Sequence, residues 1–349
     1  MNTPFNTRIN ALVALGERLA TPDDRLEAAI TRTSQLNGWF TPANTHAALE
    51  AIRTQFLTRA ALEAFVARYP QLGQTTTTKN VGLIPAGNIP LVGFHDWLCI
   101  FLAGHRALVK PSEKDPLLLP LLCTMLGEAA PDFATQTEFV ERIPLHVGGI
   151  DAVIATGSNN TSRYFEQYFA HLPRIIRRNR HSVAVLTGNE TDDQLYALGS
   201  DVTQYFGLGC RNVSKLYVPE GYDFTPLLEA THRYNDIVNN NKYKNNFDYA
   251  FTLVLLNNLT HLNNGCLILV ESPTLTSRIS ILHYEYYAPN TATPDLTPHT
   301  DELQCVVSLL PHISGFVTVP FGNTQTPALH DYADGIDTMQ FLVGLGGGA

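Results

Sequence analysis

The sequence predicts an α/β fold, with two α/β domains of mostly parallel sheet behind a helical N-terminal lead-in. Apolar residues recur at helical spacing through the first 70 or so positions. Short apolar runs then alternate with helical segments, and a second alternation of the same kind starts after about residue 187. Strand and helix in alternation is the pattern of a mostly parallel sheet covered on both faces. The expected boundaries are 1–74, 75–186, 187–315 and a C-terminal segment 316–349.

The lead-in reads as amphipathic helices from Ile9, Leu12, Leu15 and Leu19, then Leu49, Ile52 and Phe56. Thr21-Pro22 and Thr41-Pro42 both look like helix starts, because a threonine can cap free amides and a following proline has no amide to satisfy. After the polar stretch 74–78, strands are expected at 81–85, 107–110, 152–155 and 183–186, with helices at 91–103, 116–129 and 162–170 between them. Parallel sheets of this kind bind ligands at the carboxyl ends of their strands, so a nucleotide site is expected on that ground alone.

The second unit reads as helix 192–205, strand 215–218, helix 226–238 and strands at 267–270, 279–284 and 306–309. The asparagine-rich stretch 235–246 reads as a polar loop or helix end, and the glycine-rich tail 344–349 is expected to fray. No internal repeat is visible.

With 44% hydrophobic and 16% charged residues, the 349-residue chain has apolar content for a large core, and its length suggests about two domains. A net charge of -9 and a pI near 5.7 argue against nucleic acid as a partner. No signal-peptide pattern and no membrane-spanning run is seen, so a cytoplasmic protein without a membrane partner is expected. Cys99, Cys123, Cys210, Cys266 and Cys305 form no CxxC pair and read as free thiols. The histidines show no close ligand spacing, and no metal is expected.

The G-x-G-x-x-G fingerprint is missing from the early strand-to-helix turns. Those turns instead read Pro85-Ala-Gly-Asn-Ile-Pro90, Val109-Lys-Pro-Ser-Glu113 and Ala155-Thr-Gly-Ser158. Further on come Tyr205-Phe-Gly-Leu-Gly-Cys210, followed by Lys215-Leu-Tyr-Val-Pro219, and then Asp301-Glu302-Leu303. In that order, over about 80–310, these segments resemble the aldehyde dehydrogenase superfamily. The lead-in ending Asn37-Gly-Trp-Phe-Thr-Pro42 and the form of the cysteine segment are most similar to its LuxC family of acyl-CoA reductases.

The resemblance implies an aldehyde dehydrogenase-like fold, with 75–186 as the NAD(P)-binding domain and 187–315 as the catalytic domain. It implies reduction of a fatty acyl-CoA thioester to an aldehyde by a reduced nicotinamide cofactor. Cys210 then matches the nucleophile, in a turn between glycines where Arg211 could favour the thiolate. Asn88 matches the side-chain donor to the oxyanion; by itself, an asparagine before a proline-containing turn is a common turn residue. Lys110 and Glu113 match the pair at the adenosine ribose, with Ser112 between them. The glutamate would repel a 2'-phosphate and the lysine would welcome it, which leaves NADP and NAD both open. The resembled reductases use NADPH, so NADPH is expected and NADH is the alternative. Taken alone, 110–113 is a strand exit in which Ser112 caps the next helix.

Gly157 and Ser158 match the turn that admits the pyrophosphate, ahead of a helix starting near Asn160 whose free amides would face a phosphate. Glu302 matches the glutamate at the nicotinamide ribose. Where hydrolytic members carry a general-base glutamate, this chain has Arg177-Arg-Asn-Arg-His-Ser182. A thioacyl-enzyme without that carboxylate suits exchange with coenzyme A better than hydrolysis. The arginine cluster 174–180 could bind phosphates of the cofactor or coenzyme A, or be a set of structural ion pairs.

Two other activities compete: reduction of another activated acyl group, and a cysteine thioesterase or acyltransferase with no redox step. A non-catalytic assembly protein is a third alternative. The resemblance also implies a homo-oligomer, although the chain from Ser314 onward does not match the family's usual oligomerisation strand.

Overall fold

The structure, a computed structural model, describes residues 4–74, 77–144, 149–288 and 291–346. The chain divides into two compact units, Met1–Asn179 with Thr326–Ala349, and Arg180–Gln325.

The first unit opens with four helices, α1 Pro4–Ala20, α2 Asp24–Leu36, α3 Pro42–Gln55 and α4 Arg59–Ala67. The apolar stripes seen in the sequence are their inner faces: Leu12, Leu15, Leu26 and Leu62 are all buried. Thr41 caps α3, accepting from Asn44 N, with Pro42 in the first turn as expected. At Thr21-Pro22 the start is displaced. Asp23 is the cap, accepting from Leu26 N at 2.9 Å, because its carboxylate suits a helix N-terminus better than a hydroxyl two residues earlier.

The sheet of this unit is built from β1 Asn80–Ile84, β2 Arg106–Val109, β3 Thr137–Phe139, β4 Ala152–Thr156 and β5 Arg174–Arg177. The strands are linked through α5 Phe94–Ala103, α6 Leu118–Ala129 and α7 Asn159–Tyr168. All pairs are parallel, in the order β3-β2-β1-β4-β5. The chain runs outward from β1 through β2 to β3, then returns to the other side of β1 as β4. The order therefore reverses between β1 and β4, where open α/β sheets form a crevice at the strands' carboxyl ends. The edge strands β3 and β5 escaped the sequence reading. They are short, and β5 has only two apolar residues between two arginines.

The second unit holds a six-stranded sheet of order β11-β6-β7-β10-β9-β8. Its first strands and helices are β6 His181–Val185, α8 Asp192–Thr203, β7 Val213–Pro219, α9 Thr225–His232 and α10 Asn241–Leu256. Then come β8 His261–Asn263, β9 Ile268–Glu271, β10 Ile281–Tyr287 and β11 Leu303–Val307, with a hairpin of β12 His312–Ile313 and β13 Phe316–Val317. Only the edge strand β8 pairs antiparallel in the large sheet.

The strand expected at 183–186 closes the first run of alternation in the sequence, yet β6 pairs with β7 and β11 of the second sheet. Order along the chain does not fix which sheet a strand joins. Of the two readings of the asparagine-rich stretch, the helix end holds: Asn240 caps α10, accepting from Lys242 N and Tyr243 N, and 241–246 are the helix's first turns. Burial of Tyr243, Phe247, Ala250 and Val254 on one face outweighs the poor helix propensity of asparagine.

The C-terminal segment returns to the first unit, where α11 Thr338–Gly346 packs against α5 and Leu342 O accepts from His105 Nε2 at 2.9 Å. Gly344–Gly346, expected to fray, are thus helical. The rest of the glycine-rich tail, 347–349, and Thr75-Thr76 of the polar stretch lie outside the described residues. Among the described residues, no helix is long and apolar enough to cross a membrane.

Candidate functional site

In the first unit, three turns named by the sequence lie at the carboxyl ends of neighbouring strands. The turn with Asn88 follows β1, the turn with Lys110, Ser112 and Glu113 follows β2, and Gly157-Ser158 follow β4. Packing joins the first two. A Cβ on Gly87 would lie 2.2 Å from Ser112 Oγ and 2.8 Å from its Cβ, so only glycine permits the approach. Lys110 is half-buried, and among the described residues its ammonium has neither a hydrogen bond nor an ion-pair partner. Glu113 is exposed.

Ser112 does not cap α6. Its Oγ accepts from Lys114 N at 3.3 Å, and α6 starts after Leu117 with no side-chain cap. Ser112, six residues ahead of the first helical residue Leu118, makes a local turn instead. Asp115 closes this turn: it is buried, accepts from Leu91 N at 2.8 Å, and burial pushes its carboxyl up to about 6 while the Leu91 amide pulls it down. Nothing periodic marks Asp115 in the sequence; the signal available was an acid directly before Pro116.

Ser158 caps α7, accepting from Thr161 N at 3.3 Å. Gly157 packs against the first turn of that helix, where a Cβ would come within 2.9 Å of Thr161 Cβ. The first turn of α7 holds no acidic residue, so its amide end faces the crevice without a competing charge.

In the second unit, Cys210 and Glu302 lie at the amino ends of two parallel strands of the sheet. Cys210 is three residues before β7 and Glu302 directly before β11, with β6 between those two strands. The first residues of β6 hold both. His181 N donates to Glu302 O at 2.9 Å, and Ser182 Oγ donates to Cys210 O at 2.9 Å.

The thiol of Cys210 is on a half-buried turn. That turn is entered through three consecutive left-handed residues, Tyr205 (φ 52°), Phe206 (φ 60°) and Gly207 (φ 73°). Two of these have side chains and are strained, a feature that clusters at functional sites. Asn212, 3% exposed, braces the turn: its Oδ1 accepts from Gly209 N at 2.8 Å, and its Nδ2 donates to Asp201 O and Gln204 O. Ser182 also contacts Cys305 Sγ at 2.9 Å, and burial pushes that second thiol up to about 11. Cys305 is therefore a neutral core thiol.

Glu302 is exposed and 3.2 Å from His299 Nδ1. Burial pushes the pKa of His181 down, against the opposing charge of Glu302, and His181 Nε2 meets Thr276 Oγ1 at 3.0 Å. Ser182, Asn212 and His181 were not singled out as site residues from the sequence, although His181 and Ser182 lie within the quoted run Arg177–Ser182 and Asn212 is two residues beyond Cys210.

The arginine cluster forms structural contacts. Arg177, 4% exposed in its side chain, pairs with buried Asp96 at 2.6 Å and donates to Thr338 Oγ1. Burial opposes ionisation of Asp96, but the Arg177 guanidinium holds its carboxyl below the usual range. Arg174 pairs with Glu166 at 2.8 Å, Arg178 approaches the same carboxylate at 3.9 Å, and Arg180 donates to Leu303 O. Of the two alternatives for the cluster, these partners support structural ion pairs at Arg174 and Arg177.

No protein-family model and no curated protein matches the sequence. Solved structures do match. The aldehyde dehydrogenase KauB from Pseudomonas aeruginosa superposes with a TM-score of 0.63 at 14% identity, over 90% of this chain and 73% of that one. An NAD-dependent aldehyde dehydrogenase from Sinorhizobium meliloti gives 0.64 at 12%, over 90% and 72%. The NAD+ complex of an aldehyde dehydrogenase from Bacillus cereus gives 0.60 at 14%, over 90% and 73%. The fold is that of the aldehyde dehydrogenases. On this aldehyde dehydrogenase-like fold the segments expected from the sequence fall at the carboxyl ends of strands in the first unit, where such sheets build their sites, and at the amino ends of β7 and β11 in the second.

Proposed function

We propose that the chain is a nicotinamide-dependent oxidoreductase of aldehyde-level chemistry, and more narrowly an acyl-CoA reductase that carries the acyl group on Cys210. The observation that carries the narrower reading is the run Arg177–Ser182. Its last two residues hold the backbone of Glu302 and of Cys210, yet it contains no carboxylate to activate water. An acyl group on Cys210 is then poorly placed for hydrolysis and open to reduction.

The turns fit a dinucleotide. Gly157 keeps the close approach to α7 that a Cβ would fill, the amide end of α7 carries no acid, and Lys110 offers an ammonium with no partner among the described residues. Lys110, Ser112, Glu113, Gly157 and Ser158 would hold the dinucleotide, with Glu302 at the nicotinamide ribose. NADPH is the proposed cofactor and NADH the alternative. A reduced nicotinamide bound there supplies the hydride that takes the thioacyl group to the aldehyde level.

For the chain's own residues, the steps are these. The Cys210 thiolate attacks the thioester carbon, forming a carbon–sulfur bond; the bond to coenzyme A breaks, and its sulfur leaves as thiolate and takes up a proton. Asn88, with a backbone amide, is assigned to the oxyanion of the tetrahedral intermediate. Asn212 and Ser182 keep the Cys210 turn in one conformation throughout.

The test is NADPH absorbance with a panel of acyl-CoA thioesters, NADH run in parallel, and thiol release followed in the same samples. Oxidation matched by thiol release is expected. Thiol release without oxidation would make the protein a cysteine thioesterase or acyltransferase.

A further inference from the structure

The turn that carries Asn88 is held against its backbone preference. Leu91, three residues on, has φ 57°, a left-handed conformation that costs a non-glycine residue on the order of 1 kcal/mol. Its side chain is nevertheless buried in the core of the first unit, and its carbonyl accepts from Phe94 N at the start of α5. The remaining backbone group is held by Asp115, whose Oδ2 accepts from Leu91 N at 2.8 Å.

Asp115 is an unusual choice for this task. It is 9% exposed, and burial pushes its carboxyl up to about 6, so keeping it ionised costs stability. A neutral acceptor would make the same bond without that cost. Two backbone amides, of Leu91 and of Leu118 at the start of α6, pull the Asp115 carboxyl the other way.

Asp115 also belongs to the turn after β2. Its N–H donates to Ser112 O at 3.0 Å, Ser112 Oγ accepts from Lys114 N, and Lys114 O accepts from Asn37 Nδ2 at 3.2 Å, at the end of α2. Gly87 lies against Ser112 with no room for a side chain. The two turns thus share one set of contacts, with Lys110 and Glu113 on one and Asn88 on the other.

We propose that Asp115 is a positioning residue that couples the two turns, so that a nucleotide seated on Lys110 and Glu113 fixes the Asn88 turn through Leu91. The coupling deepens the assignment of Asn88 to the oxyanion and, for its effect on rate, rests on it. Restraint of 110–115 by a ligand reduces the freedom of Asp115, and the hydrogen bond to Leu91 passes that restraint to a turn with strain to release.

Wild type, Asp115→Ala and Asp115→Asn are compared by hydrogen exchange over 86–94, with and without NADPH, and by steady-state kinetics with an acyl-CoA. In the wild type, NADPH slows exchange over 86–94. In Asp115→Ala that segment exchanges roughly 10-fold faster or more and no longer responds to NADPH, while β1 and α5 keep their protection. The same variant loses kcat by about 10- to 100-fold with KM little changed, and Asp115→Asn, which keeps an acceptor, recovers most of it. Unchanged exchange over 86–94 in Asp115→Ala, an unchanged kcat, or a loss spread over the whole sheet would overturn the proposal. If none of the acyl-CoA thioesters makes the wild type oxidise NADPH, the reductase reading fails, and the exchange response to NADPH alone decides the coupling.

Discussion

Ser182 donates a 2.9 Å hydrogen bond from its hydroxyl to the carbonyl oxygen of Cys210, and the residue before it donates its amide to the carbonyl of Glu302. One strand start thereby holds the backbone of both the candidate nucleophile and the candidate ribose ligand. Ser182→Ala removes a buried donor and should cost about 1 kcal/mol of stability. It should also change the alkylation rate of Cys210 by iodoacetamide at fixed pH, because the turn loses one of its ties. An alkylation rate equal to that of the wild type would mean that Ser182 does not position the thiol.

Asn212 is the stronger brace, with one bond accepted and two donated while 3% exposed. Asn212→Ala should cost roughly 3 kcal/mol in urea denaturation, since it leaves one donor and two carbonyl groups in the interior without their partner. Asn212→Asp should fare no better, because a carboxylate cannot donate to Asp201 O and Gln204 O.

The Arg177–Asp96 pair is buried, and breaking it from one side leaves an uncompensated charge. Arg177→Met should cost about 3–5 kcal/mol, and Arg177→Met with Asp96→Leu should recover much of that loss. The pH sign follows from the lowered carboxyl of Asp96. Its contribution is present above the unfolded carboxylate pKa and is lost as pH falls through the folded value. Acid titration of stability for the wild type and the double variant checks it, and parallel curves below about pH 4 would contradict the assignment.

Asp115 has the opposite sign. Its folded pKa, about 6, lies above the ordinary carboxylate value, so the native state holds the proton more tightly than the unfolded chain. Stability from this group is fully present below the unfolded pKa and is lost as pH rises through about 6, by roughly 1–3 kcal/mol. Thermal unfolding of the wild type should show this decline between about pH 4 and 7, and Asp115→Asn should flatten it. A decline that persists unchanged in the variant would assign it to another group.

Glu113 is exposed beside Lys110, and the two pull cofactor choice in opposite directions. Glu113→Gln should shift the ratio of NADPH to NADH affinity towards NADPH by about 10-fold, and Lys110→Met should shift it the other way, read by nicotinamide fluorescence. Equal shifts for both cofactors would place the adenosine ribose elsewhere.

Much of the architecture was readable because apolar spacing marks elements whose burial is regular. The strands at 81–84, 152–155 and 183–185, and the helices over the first 70 residues, all belong to this kind. The asparagine-rich start of α10 was not readable, since tertiary burial of Tyr243 and Phe247 overrides local propensity. The edge strand β5 was hidden by arginines that serve ion pairs. At the candidate site the turns themselves were legible as motifs. The residues that hold them in place, Asp115, Ser182 and Asn212, were not, because a buried polar brace depends on partners 24, 28 or 11 residues away. Single-residue polar contacts at such separations leave no period in a sequence.

Cys210 as carrier of the acyl group is tested by labelling with a radioactive acyl-CoA followed by addition of NADPH. The wild type should take up about one acyl group per chain through a bond cleaved by hydroxylamine, release it as aldehyde when NADPH is added, and lose all labelling in Cys210→Ala. Labelling that persists in Cys210→Ala would remove this cysteine from the reaction, and an acyl group that leaves the wild type only as free acid when NADPH is present would exclude the reductase.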